Sequence, residues 1–149
     1  MNQVTIVSGV SGSGKYTFVR SIRGAAVFSA DDYFYDAKGQ YNFDPSKLGD
    51  AHSTTFRLFV QALQAKIPNV VVDNTNTTTM EISPYVLASQ AFGYDCRIVT
   101  VMVPEDRLHV AAARNRHGVP IEGVRAQFDR IQSRELPPWW NHETILSSI

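Results

Sequence analysis

The sequence predicts an α/β fold in which a parallel sheet of about four to five strands carries helices on both faces. Short apolar runs that are typical of strands alternate with longer segments in which apolar residues recur at helical spacing. The first apolar run also passes directly into a loop rich in glycine and then into a helical segment. This order, strand then glycine loop then helix, is what a parallel sheet with crossover helices requires.

Each predicted element has its own local evidence. Apolar residues recur every three or four positions between Leu48 and Leu63, and Pro45 is suited to begin that helix. Thr78 or Thr79 can cap the next helix, Pro84 is expected near its first turn, and Gly93 is expected to end it. The predicted strands are residues 3–8, 25–29, 69–73 and 94–103. The predicted helices are residues 16–22, 45–66, 80–92 and 105–115, with a last one after the break at 117–120 that runs to about residue 134.

Length and composition limit the classes of protein that this chain can represent. Its 149 residues, 44% of them hydrophobic, predict a single domain over 1–149 with a tail at 135–149. The formal net charge of zero excludes a large nonspecific affinity for nucleic acid, so a site for nucleic acid must be local. Neither a membrane span nor a secretion signal is apparent, which predicts a cytoplasmic protein with no membrane partner. The oligomeric state stays open.

The glycine-rich segment, residues 9–15, predicts a site for a nucleoside triphosphate. Glycines let the backbone curl so that successive N–H groups point at phosphate oxygens, and a lysine at the end of such a loop reaches the outer phosphates. The dipole of the following helix also favours an anion at this point. The residues expected to bind the nucleotide are Gly9, Ser11, Gly12, Ser13, Gly14, Lys15, Tyr16 and Thr17.

Tyr16 departs from the usual pattern of such loops. A serine or threonine normally follows the lysine and binds Mg²⁺ through its hydroxyl, which the phenol of Tyr16 cannot do from the same backbone position. Three alternatives remain: Thr17 takes over if the helix begins one residue later, carboxylates and water hold the ion without a hydroxyl, or the metal site is weakened.

Acidic residues follow the second and third predicted strands. In a parallel sheet these carboxyl ends meet the ligand, so Asp31 is the expected general base toward an acceptor hydroxyl, with Asp32 close behind. Asp73 ends an apolar strand and is the leading candidate for binding Mg²⁺, with Asp32 and Thr17 as further candidates. The alternative for all three acids is that they cap turns.

Basic residues are concentrated late in the chain. Six arginines but only two acidic residues, Glu122 and Asp129, lie between positions 107 and 134. Arg114 and Arg116 stand where the helical pattern breaks, which suggests a lid over about 114–120 that closes on the triphosphate and stabilises the transferring group. Arg125, Arg130 and Arg134 are instead expected on a solvated helix face.

Taken together, these segments resemble the polynucleotide-kinase-like branch of P-loop kinases, which includes small stand-alone kinases encoded by phages. The resemblance is carried by residues 9–15, 29–34, 43–45, 51–52, 72–76 and 114–120, in the order expected for that family. It implies a P-loop kinase fold with a helical lid, ATP and Mg²⁺ as cofactors, Lys15 on the phosphates, Asp31 as base, and Arg114 and Arg116 in the lid. If the chain is phage-encoded, it would act in the host cytoplasm. Ala30 stands where the family usually has arginine or asparagine, so acceptor recognition should differ from that of the members that act on 5′ ends.

The acceptor implied by the resemblance is a hydroxyl group on nucleic acid, with DNA favoured over RNA. It is either a hydroxymethylated pyrimidine of the 5-hydroxymethyluracil type in phage DNA or a 5′-OH end. Tyr33, Phe34, Tyr35, Tyr41 and Phe43 form an aromatic segment that can stack on a base or pack on the neighbouring helix. The alternatives are a kinase for a small metabolite or nucleoside, and a nucleotide-binding module without transfer activity. Trp139 and Trp140 are expected to pack against the sheet edge, and the alternative is that they grip a nucleotide.

Overall fold

A five-stranded parallel sheet organises the computed structural model, which describes residues 2–149. The strands are β1 (Gln3–Ser8), β2 (Ala26–Phe28), β3 (Asn69–Asp73), β4 (Asp95–Met102) and β5 (His142–Leu146). Their order across the sheet is β2-β3-β1-β4-β5, and every neighbouring pair is parallel. β1 lies in the centre, so the loop that follows it opens at the middle of the carboxyl edge. The predicted fold class is confirmed.

Five α-helices connect and cover the strands. They are α1 (Lys15–Ser21), α2 (Leu48–Gln64), α3 (Thr79–Ala91), α4 (Leu108–Arg114) and α5 (Ile121–Ser133). Three short 3₁₀ turns complete the chain. Ala30–Phe34 follows β2, Pro45–Lys47 precedes α2, and Glu105–Arg107 precedes α4. Among residues 2–149, no helix combines the length and the apolar character that a bilayer crossing demands.

The boundaries of α3 follow the predicted signals with one correction. Thr78 caps the helix, and its hydroxyl and the Glu81 carboxylate form a reciprocal capping box. Gly93 follows the last turn with a φ of 76°, a conformation that glycine adopts without strain. The correction is that the helix begins at Thr79 rather than at Met80, so Pro84, expected near the first turn, lies shortly after it.

Alternate residues of the central strands face opposite helical layers. One core cluster joins Ile6 and Val72 to Phe59 of α2 and Ile82 of α3. A second cluster joins Val7, Val71 and Val101 to Val19 of α1. The helices therefore cover both faces, as the uninterrupted apolar character of β1 and β3 predicts for a buried parallel sheet.

The tail contains a strand whose place the sequence did not reveal. β5 pairs with β4 from Ile98↔His142 to Met102↔Leu146. Its alternation of polar and apolar residues is weak because it is an edge strand with mostly exposed side chains. Trp140 packs against the main core as expected, whereas the side chain of Trp139 is 79% exposed, so the predicted packing is wrong for Trp139.

Candidate active site

The loop after β1 presents free backbone donors at the start of α1. Gly12 and Gly14 have φ values of 76° and 91°, which turn the backbone inward between the strand and the helix. Among the hydrogen bonds of residues 2–149, none uses the backbone N–H of Gly12, Gly14, Lys15 or Tyr16. Four neighbouring donors without partners, at a helix N-terminus, form an arrangement suited to phosphate.

The rest of the loop is held in place by other elements. Gln127 of α5 accepts a hydrogen bond from the Ser11 backbone N–H over 2.8 Å, and its amide donates to the Ser11 hydroxyl over 3.1 Å. The Gly9 N–H donates to the Thr75 carbonyl over 3.0 Å. The Ser13 hydroxyl is buried and has no partner in the described chain. The loop is thus shaped before any ligand arrives, and the Ser13 hydroxyl has capacity for one.

Lys15 lies inside the loop that it terminates. Its ammonium group donates to the carbonyls of Gly9 and Val10 over 3.1 and 3.0 Å. Burial lowers the pKa of Lys15, and the carboxylates of Asp73 and Asp31 act in the opposite direction. A phosphate could take the place of the two carbonyls as partner of this ammonium group.

Tyr16 contacts arginines rather than pointing toward the loop. The Arg116 guanidinium lies 5.0 Å from the centroid of the Tyr16 ring, and the Arg20 guanidinium lies 5.5 Å from it. Arg20 also donates to the Tyr16 hydroxyl over 3.3 Å. Thr17, the predicted substitute for a metal-binding hydroxyl, is exposed on the surface of α1. The phenol is therefore a support for a lid arginine.

The three candidate acids follow two neighbouring strands, and Asp31 and Asp73 lie near enough to Lys15 to act on its pKa. Asp31 lies in the 3₁₀ turn Ala30–Phe34, whose first turn is capped by the Ser29 hydroxyl. The Asn74 side chain accepts from the Ala30 N–H over 2.9 Å and so joins the end of β3 to this turn. The remaining Asn74 amide donor is buried without a partner in the described chain. β2 and β3 therefore bring Asp31, Asp32 and Asp73 to one edge of the sheet.

The carboxyl group of Asp73 is the most buried of the three. Burial raises its pKa, nearby Lys15 opposes that effect, and Asp31 and Asp32 add to it. Partial burial raises the pKa of Asp32, and the nearby Asp31 carboxylate raises it further. A divalent cation would relieve this repulsion, and carboxylate oxygens are ligands that Mg²⁺ accepts together with water and phosphate. Asp73 and Asp32 therefore fit a magnesium ion, although no group of three or more acidic, histidine or cysteine residues forms a metal cage between residues 2 and 149.

The predicted lid is a short coil between α4 and α5. The Asn115 side chain organises it, donating to the carbonyls of Ala112 and Val119 and accepting from the Val119 N–H over 2.9 Å. Arg114 is exposed at the last residue of α4, and Arg116 is exposed on the coil. A side chain at Gly12 would lie 1.9 Å from the Ala111 carbonyl oxygen, which shows how closely α4 approaches the phosphate-binding loop.

The arginines of α5 do not form one solvated face. Arg125 is exposed and pairs with Glu105 over 3.0 Å, as predicted. Arg134 is half-buried and donates to Ser8, Asn76 and Thr100 over 2.6–2.9 Å, so its predicted exposure is wrong. These contacts join α5 to the carboxyl ends of β1, β3 and β4, and burial lowers the pKa of Arg134.

The aromatic segment forms a folded loop beside Asp31. Phe34 is buried against Ala51 of α2, while Tyr41 lies near it with ring centroids 6.2 Å apart. The lid residue His117 stacks on Tyr41 with ring centroids 4.3 Å apart and a tilt of 26°. Its Nδ1 lies 3.4 Å from the Asp31 carboxylate. One part of the segment therefore packs on a helix and another part faces the site.

Comparison with known proteins places this geometry in a family. The family model described as "AAA domain" (AAA_33) matches residues 4–138. The chain belongs to this AAA domain family. Human NEDD4-binding protein 2 is 33% identical over 137 residues, which is 87% of this chain but 8% of that protein. The chain therefore spans only a small part of the curated relative, and any activity of the whole relative does not transfer.

Solved structures share the fold at low sequence identity. A chain in the structure of a Pnkp1/Rnl/Hen1 RNA repair complex superposes with a TM-score of 0.70 at 20% identity, covering 88% of this chain and 44% of that one. A gluconokinase from Sinorhizobium meliloti 1021 superposes with a TM-score of 0.59 at 17% identity, covering 99% of this chain and 83% of that one. The P-loop kinase fold is thereby confirmed. The two structures that share it come from an RNA repair complex and from a gluconokinase.

Several residues at the site were not found from the sequence. His117 belongs to the predicted lid, residues 114–120. Tyr41 and Asp31 lie far from it in the chain, so no sequence pattern predicts its contacts with them. Gln127 reaches Ser11 from α5, and Ser147, just after β5, donates to the Ser13 carbonyl. The family resemblance suggested that His52 faces the acceptor, but His52 lines a separate groove with Phe56 and Tyr85. Only the tertiary fold brings such distant side chains together.

Proposed function

We propose that the protein is an ATP-dependent phosphotransferase whose acceptor is a hydroxyl group on nucleic acid. The observation that carries this proposal is that the carboxylates of Asp73 and Asp31 lie close enough to Lys15 to act on its pKa, and that Lys15 ends the loop with the unpartnered N–H groups. A kinase needs both halves: donors that bind the triphosphate and a carboxylate that accepts a proton from the attacking alcohol. Membership of the AAA domain family and the P-loop kinase fold support the same reaction class.

The proposed reaction is an in-line transfer of the γ-phosphate. The acceptor oxygen forms a bond to the γ-phosphorus, while the bond from that phosphorus to the oxygen it shares with the β-phosphate breaks. The acceptor proton passes to the Asp31 carboxylate, and ADP leaves with the bridging oxygen. Lys15 exchanges its contacts with the Gly9 and Val10 carbonyls for phosphate oxygens.

The lid residues act on the transferring group. Arg116 is held by Tyr16 next to the P-loop, and Arg114 ends the helix that presses on Gly12. In the proposed mechanism both arginines close on the nucleotide, stabilise the charge that spreads over the γ-phosphate and help to exclude water from it. Asp73 and Asp32 would hold Mg²⁺, which when bound neutralises phosphate charge.

The acceptor we propose is DNA, either a 5-hydroxymethyluracil-type base or a 5′-OH end. The family resemblance and the aromatic loop beside Asp31 support nucleic acid, since aromatic rings stack on bases. One structure with a similar fold belongs to an RNA repair complex. Any test of the acceptor must therefore include RNA of the same sequence as the DNA.

A second candidate is a kinase for a small alcohol. The fold shared with a gluconokinase favours it, because that fold accommodates small acceptors as well. The third candidate, a nucleotide-binding module without transfer activity, is supported by Tyr16, which cannot supply the usual metal-binding hydroxyl.

The test is transfer of label from γ-labelled ATP to a panel of acceptors. The panel contains single-stranded DNA and RNA with free 5′ ends, the same strands with 5′-phosphates, 5′-phosphorylated DNA with one 5-hydroxymethyluracil, nucleosides and gluconate. Label on DNA is expected. Label on a small alcohol alone would select the second candidate, and ATP binding without labelling of any acceptor would select the third.

A further inference from the structure

We propose that the Tyr41 ring is the stacking platform for the acceptor base, and that the imidazole of His117 holds that place until the acceptor arrives. This inference rests on the proposed function and specifies the acceptor as a planar nucleobase in single-stranded DNA. A stacked base beside Asp31 would direct an alcohol carried by that base toward the carboxylate.

The imidazole has the two features that such an acceptor needs. It is a planar heteroaromatic ring stacked on Tyr41, with ring centroids 4.3 Å apart and a tilt of 26°. Its Nδ1 lies 3.4 Å from Asp31 Oδ2, on the carboxylate that must receive the acceptor proton. The ring therefore marks the space between an aromatic face and the proposed base.

The platform is fixed independently of the lid. The Asp36 side chain accepts from the backbone N–H groups of Lys38 and Gln40 over 2.8 and 2.9 Å, which closes the turn before Tyr41. The ring of Phe43 lies nearly parallel to that of Tyr41, with ring centroids 6.3 Å apart and planes 9° apart, and the buried Phe34 contacts Tyr41 edge-on. Removing His117 would therefore leave the Tyr41 ring in place.

The hold of His117 on the site is weak by comparison. Both polar contacts of its imidazole, Nδ1 to Asp31 and Nε2 to the Tyr35 hydroxyl, are 3.4 Å long, beyond the range of strong hydrogen bonds, and its backbone N–H donates to the Asn115 side chain over 3.3 Å. The next residue, Gly118, has a φ of 71°, and a side chain there would meet nothing within 4 Å. An arriving base can therefore displace the imidazole without disturbing a packed element.

The Tyr41 phenol is neutral near pH 7, and its surroundings favour that form further. Burial, the nearby Asp31 carboxylate and the neighbouring Tyr35 phenol raise the pKa of Tyr41 from its ordinary value of 10.0 to about 12. A neutral phenol ring stacks on a base without bringing a second negative charge next to Asp31. Base stacking on one aromatic side chain contributes about 1–3 kcal/mol, which is roughly 5- to 150-fold in affinity.

The experiment measures the affinity of a labelled single-stranded oligodeoxynucleotide that contains one 5-hydroxymethyluracil, using fluorescence anisotropy. The proteins are wild type, His117→Ala, Tyr41→Leu and the matched control Tyr41→Phe, each checked for its melting temperature and its affinity for ATP. We expect His117→Ala to bind at least threefold more tightly, Tyr41→Leu to bind about tenfold more weakly, and Tyr41→Phe to stay within twofold.

Three outcomes would overturn the inference. Weaker binding by His117→Ala would make His117 an acceptor contact rather than a placeholder. Unchanged binding by a folded Tyr41→Leu protein would remove the platform while leaving a nucleic-acid kinase intact, provided that label transfer to DNA persists. Absence of oligonucleotide binding in every protein, together with transfer to a small alcohol, would instead overturn the proposed acceptor class itself.

Discussion

The two halves of the proposed active site are made of different parts of the chain. The proposed donor half consists mainly of backbone N–H groups within one continuous segment, residues 9–16. The proposed acceptor half consists of side chains from separate segments: Asp31 after β2, Tyr41 in the aromatic loop and His117 in the lid. A backbone cradle recognises any triphosphate in the same way, whereas an assembly of side chains can change its acceptor by a few substitutions. This difference explains why P-loop kinases with one nucleotide site act on different alcohols.

The largest effect that separates the halves is expected from Asp31→Asn. The amide cannot accept the acceptor proton, so the rate of phosphate transfer should fall about 10²- to 10⁴-fold. The affinity for ATP should stay within threefold, because the donor half is untouched. Single-turnover transfer and calorimetry measure the two quantities. The control is Asp50→Asn, the same change at an exposed position on α2, and equal transfer rates in both variants would contradict the role of Asp31.

Gly12→Ala should damage the donor half. The added Cβ would lie 1.9 Å from the Ala111 carbonyl oxygen, and the φ of 76° is unfavourable for alanine. We expect a loss of about 3 kcal/mol in the free energy of unfolding, and a loss of ATP affinity as α4 is pushed away. Urea denaturation and calorimetry are the measurements.

Gly39→Ala is the matched control for this change. Its φ is 79°, but a Cβ there would meet nothing within 4 Å. The free energy of unfolding should therefore fall only by the cost of the left-handed backbone, about 1 kcal/mol. If both variants lost the same stability, the close contact between α4 and the P-loop would have no energetic weight.

Asp73→Asn should stabilise the fold while weakening metal-dependent binding of ATP. Because burial raises the pKa of Asp73, the folded state binds a proton more tightly than the unfolded state. The resulting destabilisation is present at pH above the folded pKa and disappears as the pH falls through that value toward the ordinary 3.8. At pH 7 the variant should therefore melt higher, by about 2–4 °C for each kcal/mol recovered.

The same variant tests the metal assignment. Magnesium-dependent affinity for ATP should fall about tenfold, since one carboxylate ligand is lost. A melting temperature that rises equally at pH 7 and below pH 3 would contradict the charge-based explanation, and unchanged magnesium dependence would remove Asp73 from the metal site.

The smallest effect is expected from Tyr16. Tyr16→Leu removes the ring beneath Arg116, an exposed cation–π contact that contributes about 0.5–1 kcal/mol, so the affinity for ATP should fall roughly two- to fivefold. Tyr16→Phe keeps the ring and should stay near wild type. Tyr16→Ser loses the ring but restores a hydroxyl, and a stronger magnesium dependence than in Tyr16→Leu would show that the hydroxyl reaches the metal. Equal affinities in all four proteins would contradict a role of Tyr16 in holding the lid.

The same difference, between one continuous segment and side chains from distant segments, decides which features the sequence predicts. Apolar strands and the glycine loop are local patterns, so the central sheet and the P-loop were predicted within about two residues at most boundaries. β5 was not located because an exposed edge strand lacks an apolar run, and the exposure of Arg134 was mispredicted because its three partners lie on other elements. The contact of His117 with Asp31 joins two segments far apart in the chain, and no spacing along the sequence encodes it.

The central claim is that the unpartnered N–H groups of Gly12, Gly14, Lys15 and Tyr16, together with the Lys15 ammonium group, bind the phosphates of ATP. Calorimetric titration of the folded protein with ATP and then with AMP, at saturating magnesium, tests it most directly. One molecule of ATP should bind per chain, and AMP should bind far more weakly because it lacks the outer phosphates that Lys15 reaches. Equal affinity for ATP and AMP, or no heat of binding with ATP, would contradict the claim.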